Sequence, residues 1–265
     1  MSDETEVPDG GPQADRLRHA LSFGAAADLY ERVRPGYPPA AVGWVLDAVD
    51  GPVRRVLDLG AGTGKLTRTL LDVAGPAVEV VAVDPDAAML DRLTTAVPAG
   101  SRVRPRTGSA ERLPLAEASV DAVLCAQAWH WVDPAAAVPE VARVLRPGGV
   151  LGLLWNLRDE RTDWVAAFGQ ASGTTETAVD DPELSPGFEP PFGAVEQLEV
   201  PHEVVLDPAD LPSLAASRSH LLVLQPGERA VVLDGVRALA ATHPDLTGRD
   251  AVPMPYRTLC RRYRR

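Results

Sequence analysis

A short apolar segment that runs directly into clustered glycines constrains the fold of this chain more than any other feature. Val53–Leu59 has the composition of a buried parallel strand, and Gly-Ala-Gly-Thr-Gly follows at 60–64. Leu66, Leu70 and Leu71 then begin a helical pattern. In doubly wound α/β sheets, a strand, a glycine turn and a helix in this order form the place where a nucleotide-like ligand binds.

Two common nucleotide-binding turns do not match these glycines. A phosphate-binding loop needs Gly-Lys followed by Ser or Thr, whereas Gly64 and Lys65 are followed by Leu66. A dinucleotide turn needs G-x-G-x-x-G. Gly60 and Gly62 fit this pattern, but the third glycine comes one residue early, at Gly64. The turn therefore departs from both patterns.

An acidic residue stands at the end of the strand, just before the turn. The Asp58 carboxylate would repel a pyrophosphate, but it suits a ligand that carries an ammonium or sulfonium, directly or through water. Such a ligand is S-adenosylmethionine. Val56–Gly64 resembles the first motif of class I S-adenosylmethionine-dependent methyltransferases. The resemblance implies cofactor contacts from Asp58, Gly60, Gly62, Thr63 and Gly64.

The same resemblance implies the fold. We expect an α/β fold with a doubly wound, mostly parallel seven-stranded sheet of the Rossmann-like class I type and an N-terminal helical cap. From its composition, the segment 1–18 is expected to be a disordered tail. Residues 19–265 are expected to form one domain, with cap helices at 19–50, a cofactor-binding half at 51–155 and a substrate-side half at 156–265.

Hydrophobic periodicity predicts the remaining elements. Asp133 and Pro134 should begin a helix that reaches Leu145, and Arg146–Gly149 should form a turn. Residues 156–192 are expected to contain an insertion or lid. Strands are expected at 78–83, 103–107, 119–126, 150–155, 195–206 and 252–263, the last one antiparallel by the resemblance; helices are expected at 23–33, 39–49, 164–170, 211–224 and 228–241.

Composition limits which classes of partner and which cellular location we expect for this protein. The formal net charge of −11 argues against a nucleic-acid surface. No apolar run approaches the ~20 residues of a membrane span, and the N-terminus lacks a signal-peptide pattern, so we expect a cytoplasmic protein without membrane contact. Cys125 and Cys260 do not make a disulfide framework. Histidine and cysteine spacing indicates no metal site, and no G-x-S-x-G motif indicates a hydrolase.

The segment Tyr30–Pro38 resembles the Tyr-x-x-x-Arg-Pro-x-Tyr-Pro pattern in the N-terminal cap of small-molecule methyltransferases. In those proteins the segment closes over the methionine end of the cofactor. The resemblance implies that Arg34 meets the cofactor carboxylate and that Tyr30 lines the methyl site. The alternative is that Tyr30 and Tyr37 are packing aromatics and that Arg34 caps a helix end.

Asp84, Pro85 and Met89 follow the second predicted strand and are expected to contact the cofactor. Asp84 follows Gly64 by the ~20 residues expected of an acid that accepts both ribose hydroxyls. Capping of the next helix is the alternative for Asp84. Met89 is expected either to line the adenine slot or to pack in the core.

Residues 108–115 resemble the Gly-Asp-Ala-Glu-x-Leu-Pro turn of the same family, which reads the adenine edge. The resemblance implies cofactor contacts from Ser109, Ala110 and Glu111. Ser109 replaces the usual acidic residue, although its hydroxyl can still accept a hydrogen bond from an amino group.

The fourth predicted strand delivers a Trp-His-Trp sequence to the ligand-binding edge of the sheet. Ala126 and Gln127 are expected to contact the cofactor. His130 is the candidate base, with a structural histidine as the alternative. Trp129 and Trp131 are expected to face the substrate or to pack beneath the cofactor.

Asn156 and Arg158 stand just past the fifth predicted strand, at the same edge. They are the candidate ligands for a polar or carboxylate-bearing acceptor, with a surface position as the alternative for the arginine.

These residues predict methyl transfer from S-adenosylmethionine to a small-molecule acceptor by in-line displacement, mainly through positioning and desolvation. The cap and the Trp-His-Trp loop resemble the trans-aconitate methyltransferase group. Three rival hypotheses stay open: aminopropyl transfer or cyclisation with the same cofactor, an NAD-dependent oxidoreductase, and a binding protein with a vestigial pocket.

Overall fold

The computed structural model describes residues 31, 33–174, 188, 191–222 and 224–265. Its strands are β1 Arg55–Leu59, β2 Glu79–Asp84, β3 Val103–Thr107, β4 Val120–Ala126, β5 Leu145–Arg158, β6 Glu196–Leu206 and β7 Val252–Arg264. Its helices are α1 Pro39–Leu46, α2 Lys65–Ala74, α3 Ala87–Ala96, α4 Pro134–Val144, α5 Asp163–Ser172, α6 Leu211–Ala216, α7 Ser219–Leu222 and α8 Pro226–Thr242.

The strands of the described residues form one seven-stranded sheet with the order β3-β2-β1-β4-β5-β7-β6. The strands β1 to β5 pair in parallel, and β7 runs antiparallel between β5 and β6. Strand order reverses between β1 and β4, which opens a crevice at the carboxyl ends of these strands. The doubly wound, mostly parallel sheet with an antiparallel last strand is therefore confirmed.

Both faces of the sheet are covered, which explains why the central strands are apolar without alternation. On one face, Leu57 and Val123 belong to the same buried cluster as Val141 of α4. On the other face, Val56 and Leu124 belong to a second cluster with residues of α1, α2 and α3. This two-sided burial holds the strand ends that carry the candidate residues in fixed positions.

The fifth strand is longer than predicted at both ends. β5 takes in the predicted turn Arg146–Gly149, where Gly148 has a φ of 77° and the register with β4 shifts. At its other end, β5 pairs with β7 as far as Arg158 and Tyr256. The partner that extends β5 is a strand about a hundred residues away, so the local sequence did not indicate it.

The helices differ from the prediction in smaller ways. The single helix predicted at 211–224 is divided into α6 and α7, with Ser217 as the C-cap of α6. α1 ends at Leu46 instead of reaching Val49. Asp133 begins α4 as predicted, since its Oδ1 accepts a hydrogen bond from the backbone N–H of Ala135 at 3.1 Å.

Several predictions fall on residues that the structure does not describe. They are the tail at 1–18, the part of the first cap helix before residue 31 and residues 175–187 of the predicted lid. Within the described ranges, no helix combines the length and the hydropathy that crossing a membrane requires.

Candidate functional site

A cavity of about 360 Å³ opens at the carboxyl ends of β1, β2 and β4, in the crevice where the strand order reverses. Its wall brings together residues that the sequence predicted separately: Arg34, Gly60, Gly62, Thr63, Asp84, Pro85, Met89, Ser109, Ala110, Glu111, Ala126, Gln127, His130 and Trp131.

The three glycines of the turn have different functions. Gly60, Gly62 and Gly64 have φ angles of 69°, 53° and 87°. A Cβ on Gly60 would lie 2.6 Å from the Ala128 Cβ, and one on Gly64 would lie 2.8 Å from the Leu93 Cγ. A Cβ on Gly62 would meet nothing within 4 Å. Gly64 therefore serves packing outside the cavity wall, whereas Gly62 turns bare backbone toward the open space.

The Asp58 carboxylate lies behind the turn and not in the cavity wall, where the sequence had placed it. The residue is 1% exposed, and Thr67 Oγ1 donates a hydrogen bond to its Oδ2 at 2.5 Å. Its Oδ1 has no hydrogen-bond partner among the described residues. Burial raises the pKa of Asp58 to about 7, with the nearby Asp84 adding to the shift and the Thr67 bond opposing it. A buried acceptor without a partner suits a donor from a ligand or a water.

The Asp84 carboxylate ties the glycine turn to the end of β2. Its Oδ2 accepts from the Gly62 N–H at 2.8 Å, and its Oδ1 accepts from the Asp86 N–H at 2.9 Å. Burial raises the pKa of Asp84. The helix cap considered as an alternative for Asp84 comes from Asp86, which accepts from the Ala88 N–H at 2.8 Å. Asp84 therefore lines the cavity and does not cap α3.

The wall beyond Asp84 combines apolar surface with few polar groups. Met89 and Ala110 are buried and line the cavity together with Ser109 and Glu111. Glu111 Oε1 accepts from the Asp133 N–H at 3.0 Å, which joins this wall to the start of α4. Such a mixture is typical of sites that bind small organic ligands.

Gln127 holds a strained backbone at the end of β4. Its φ of 55° lies in the left-handed region, which residues other than glycine rarely adopt. Its side-chain Nε2 donates to the carbonyl oxygen of Asn156 at 2.9 Å, and its backbone N–H donates to Leu154. These bonds fix the turn that follows β4, and backbone strain of this kind clusters at functional sites.

The Trp-His-Trp sequence forms a short 3₁₀ turn, Trp129–Trp131, that separates its two tryptophans. Trp129 is 2% exposed and packs edge-on against Phe188, with ring centroids 5.4 Å apart. His130 and Trp131 line the cavity, with their ring centroids 4.6 Å apart. Trp129 does not line the cavity, because successive side chains of a 3₁₀ turn point in different directions, and its contact with substrate stays a prediction.

The His130 imidazole is neutral at neutral pH. The surrounding protein lowers the pKa of His130 to about 4, mainly through burial and to a lesser degree through the charge of Arg34. Part of its surface remains open toward the cavity. A base with so low a pKa accepts a proton weakly.

Asn156 and Arg158 do not line the cavity, and their contact with the acceptor stays a prediction. Asn156 Nδ2 donates to the Gly36 carbonyl at 2.9 Å, and its Oδ1 accepts from Thr258 Oγ1 at 2.7 Å. Arg158 is fully buried and donates to Thr174 Oγ1 at 2.9 Å. Because β5 continues through both residues, they lie inside the sheet and not on a loop beyond its edge.

Arg34 joins the N-terminal segment to the distant end of α6. Its Nε donates to Ser217 Oγ at 2.8 Å, and its Nη2 donates to the Ser217 carbonyl at 2.9 Å. This contact agrees with the helix-capping alternative, while the cavity lining also includes Arg34. Tyr30, the other residue predicted from this motif, lies outside the described residues.

Two basic residues of the cavity wall were not predicted from the sequence. Lys65 and Arg218 line the cavity, and Lys65 Nζ donates to the Glu31 carbonyl at 2.7 Å. Lys65 is the only lysine of the chain and directly follows Gly64, a local signal that could have marked it. Arg218 reaches the cavity from the junction of α6 and α7, and no local signal marks it.

Comparison with known proteins gives relatives over nearly the whole chain. Residues 57–153 match a family described as a methyltransferase domain. The chain is 50% identical to an uncharacterized methyltransferase of Mycobacterium tuberculosis, over 91% of this chain and 94% of the relative. It is 35% identical to an uncharacterized methyltransferase-like protein of Schizosaccharomyces pombe, over 87% of this chain and 90% of the relative.

Solved structures resemble the chain in fold. A presumed type II methyltransferase from Anaeromyxobacter dehalogenans has a TM-score of 0.62 at 23% identity, over 87% of this chain and 96% of that chain. A phosphoethanolamine N-methyltransferase of Haemonchus contortus, solved with phosphomonomethylethanolamine and S-adenosylhomocysteine, has a TM-score of 0.55 at 14% identity, over 98% of this chain and 61% of that chain.

The residues of the cavity fit the methyl donor of this family. Gly62 leaves open space beside the turn, and Asp84 presents a carboxylate at the end of β2. Behind this wall, Asp58 Oδ1 is a buried oxygen that has no hydrogen-bond partner among the described residues. The relative that is 50% identical is a methyltransferase, and the glycine turn lies within residues 57–153, which match the methyltransferase family. The chain therefore belongs to the class I S-adenosylmethionine-dependent methyltransferases.

Proposed function

We propose that the cavity binds S-adenosylmethionine and that the protein transfers its methyl group to a small-molecule acceptor. The observation that carries the proposal is the glycine turn, in which Gly62 opens onto a cavity and donates its N–H to the Asp84 carboxylate. When bound, S-adenosylmethionine supplies an electrophilic methyl group on a sulfonium. The protein contributes binding, alignment and exclusion of water.

The nucleoside half of the cofactor is assigned to the wall between Asp84 and Glu111. Asp84 accepts from the ribose hydroxyls, because a carboxylate oxygen can accept more than one hydrogen bond. Met89 and Ala110 supply apolar contact for the adenine. Ser109 and Glu111 stand beside them as polar groups for its edge.

The methionine half is assigned to the turn and the N-terminal segment. Asp58 accepts from the ammonium, directly or through water, which supplies the partner that its Oδ1 lacks among the described residues. Arg34 lines the cavity and meets the carboxylate. By the sequence resemblance, the cap at 19–50 covers this end and Tyr30 lines the methyl site.

The acceptor binds on the side of the cavity formed by His130, Trp131 and Arg218. A cavity of about 360 Å³ is of the size that binds small molecules, and the net charge of −11 disfavours nucleic acid. Membership of the trans-aconitate methyltransferase group is part of this proposal and is supported only by the cap motif and the Trp-His-Trp loop.

Positioning, more than acid–base chemistry, carries the reaction. The lowered pKa of His130 makes it a weak base. A dedicated base is needed only for an acceptor whose nucleophile carries a proton at the working pH.

Product analysis tests the proposal against its rivals. The purified protein is incubated with S-adenosylmethionine and pools of small-molecule acceptors, and the products are measured by mass spectrometry. We expect S-adenosylhomocysteine together with an acceptor heavier by one methylene. Formation of methylthioadenosine would favour aminopropyl transfer or cyclisation instead.

A matched pair of variants ties the product to the cavity. Gly62→Val fills the open space beside the turn, whereas Gly36→Ala adds a methyl group where a Cβ meets nothing within 4 Å and no positive φ is required. The first variant should lose product formation, and the second should retain it. Equal activity of the two variants would place the reaction elsewhere.

A further inference from the structure

The start of the described N-terminal segment is fastened to the glycine turn through one carboxylate. Thr63 Oγ1 donates to Glu31 Oε2 at 2.6 Å, and Arg68 Nη2 donates to Glu31 Oε1 at 2.5 Å. Lys65 Nζ lies 3.6 Å from Oε2 and also donates to the Glu31 carbonyl at 2.7 Å. Both side-chain oxygens and the backbone oxygen of Glu31 are therefore held by residues of the turn and the first two turns of α2.

The contact is partly shielded from water. The Lys65 side chain is 11% exposed, against 36% for Glu31 and 30% for Arg68, and Thr63 is buried. Burial lowers the pKa of Lys65, and the Glu31 carboxylate opposes this shift. Arg68 Nη1 also donates to the Thr63 carbonyl at 3.3 Å. The shielded ion pairs and the buried hydroxyl give this contact more weight than an exposed surface pair.

The same contact adjoins the cavity wall. Thr63 and Lys65 line the cavity, and so does Arg34, three residues after Glu31. The Thr63 hydroxyl donates its hydrogen to Glu31, so the predicted cofactor contact of Thr63 would use a lone pair of that oxygen or the backbone. The contact therefore fixes the position of the N-terminal segment relative to the glycine turn.

We propose that Glu31 is a positioning residue for cofactor binding: by bridging Thr63, Lys65 and Arg68, it holds the segment that carries Arg34 against the glycine turn. The inference rests on the proposed function, since it assumes that the cavity binds S-adenosylmethionine. Docking of the segment and binding of the cofactor then favour each other by the same factor, because coupling between two binding events is reciprocal.

Calorimetric titration with S-adenosylhomocysteine tests this role in the intact chain. Glu31→Gln keeps the size of the side chain but removes its charge, and Arg68→Met removes one partner from the opposite side. The matched control is Glu199→Gln, which removes a carboxylate paired with Arg257 at 3.0 Å on β6 and β7, away from the cavity. Each variant is also compared in its thermal unfolding midpoint.

We expect Glu31→Gln and Arg68→Met each to raise the Kd for S-adenosylhomocysteine about tenfold. The double variant should be little worse than either single variant, because both changes break one contact. Hydrogen exchange of the peptide 33–38 should rise in Glu31→Gln, and S-adenosylhomocysteine should slow that exchange in the wild type. Glu199→Gln should bind like the wild type.

The possible failures are distinguishable. If the wild type binds S-adenosylhomocysteine and both Glu31→Gln and Arg68→Met bind it equally well, Glu31 is structural and the inference falls while the proposed function stands. A lower unfolding midpoint with an unchanged Kd has the same meaning. If the wild type does not bind S-adenosylhomocysteine, the proposed function falls and this inference falls with it.

Discussion

Among single residues, Asp58 makes the stability of the protein depend on pH. Its pKa rises from 3.8 to about 7 in the folded chain because it is buried. A carboxyl whose pKa is raised on folding binds its proton more tightly in the native state. Through this group the free energy of unfolding is therefore greatest at low pH and falls as pH rises from about 4 to about 7.

The same titration predicts a pH-dependent affinity. If the ionised Asp58 accepts from the ammonium of the cofactor, the Kd for S-adenosylhomocysteine should fall about tenfold per pH unit up to pH 7 and level off above it. Calorimetry at pH 6 in buffers of different ionisation enthalpy should detect release of a proton. Asp58→Asn should remove both effects, and a pH-independent Kd in the wild type would exclude this role.

His130 gives a second prediction that needs no acceptor. Its imidazole resonance should titrate with a midpoint near 4 in NMR spectra, and Arg34→Met should raise that midpoint because the Arg34 charge contributes to the shift. Burial is the larger cause, so the midpoint in the variant should stay below the ordinary value of 6.5. A wild-type midpoint near 6.5 would restore His130 as a candidate general base.

Individual residues show which features of the site could be predicted from the sequence. Asp84 and His130 were predicted to reach the site because each comes at or just after the end of a recognisable strand. The burial of Asp58 behind the turn and the separation of Trp129 from Trp131 depend on side-chain direction. Packing decides the direction of each side chain within a three-residue turn, here packing of Trp129 against Phe188. The local sequence pattern does not indicate that direction.

At the scale of elements, the geometry of the glycine turn predicts how much each glycine-to-alanine substitution lowers the free energy of unfolding. Gly62→Ala places a methyl group in open space and costs only the positive φ, about 1–2 kcal/mol. Gly60→Ala adds a clash with the Ala128 Cβ to the same cost, for a total of about 2–4 kcal/mol. Gly36→Ala should change stability by less than about 0.5 kcal/mol. Urea unfolding measures all three, and an equal loss for Gly60→Ala and Gly62→Ala would contradict this turn geometry.

The strands from β1 to β4 could be predicted because each is a short apolar run with a clear boundary. β5 was predicted too short because its extension depends on pairing with β7. That pairing carried Asn156 and Arg158 into the sheet, where they bond to Gly36, Thr258 and Thr174. The local sequence thus indicates that a strand forms, whereas tertiary pairing decides how long the strand is.

At the scale of the whole molecule, the site is assembled from distant parts of the chain. Arg34 and Ser217 are 183 residues apart, and Asn156 and Gly36 are 120 residues apart. The first contact joins the N-terminal segment to the end of α6 beside the cavity, and the second joins the same segment to β5. The residues of the proposed cofactor side could be predicted because they follow consecutive strands. On the proposed acceptor side, His130 and Trp131 could be predicted in the same way, whereas Arg218 could not, since it reaches the cavity through tertiary packing alone.

The proposed function depends on the identity of the ligand in the cavity, and calorimetric titration of the intact protein tests that identity most directly. S-adenosylmethionine and S-adenosylhomocysteine should each bind at one site per chain, Gly62→Val should abolish both, and NAD should give no heat beyond dilution. Tight binding of NAD together with no binding of S-adenosylhomocysteine would contradict the account.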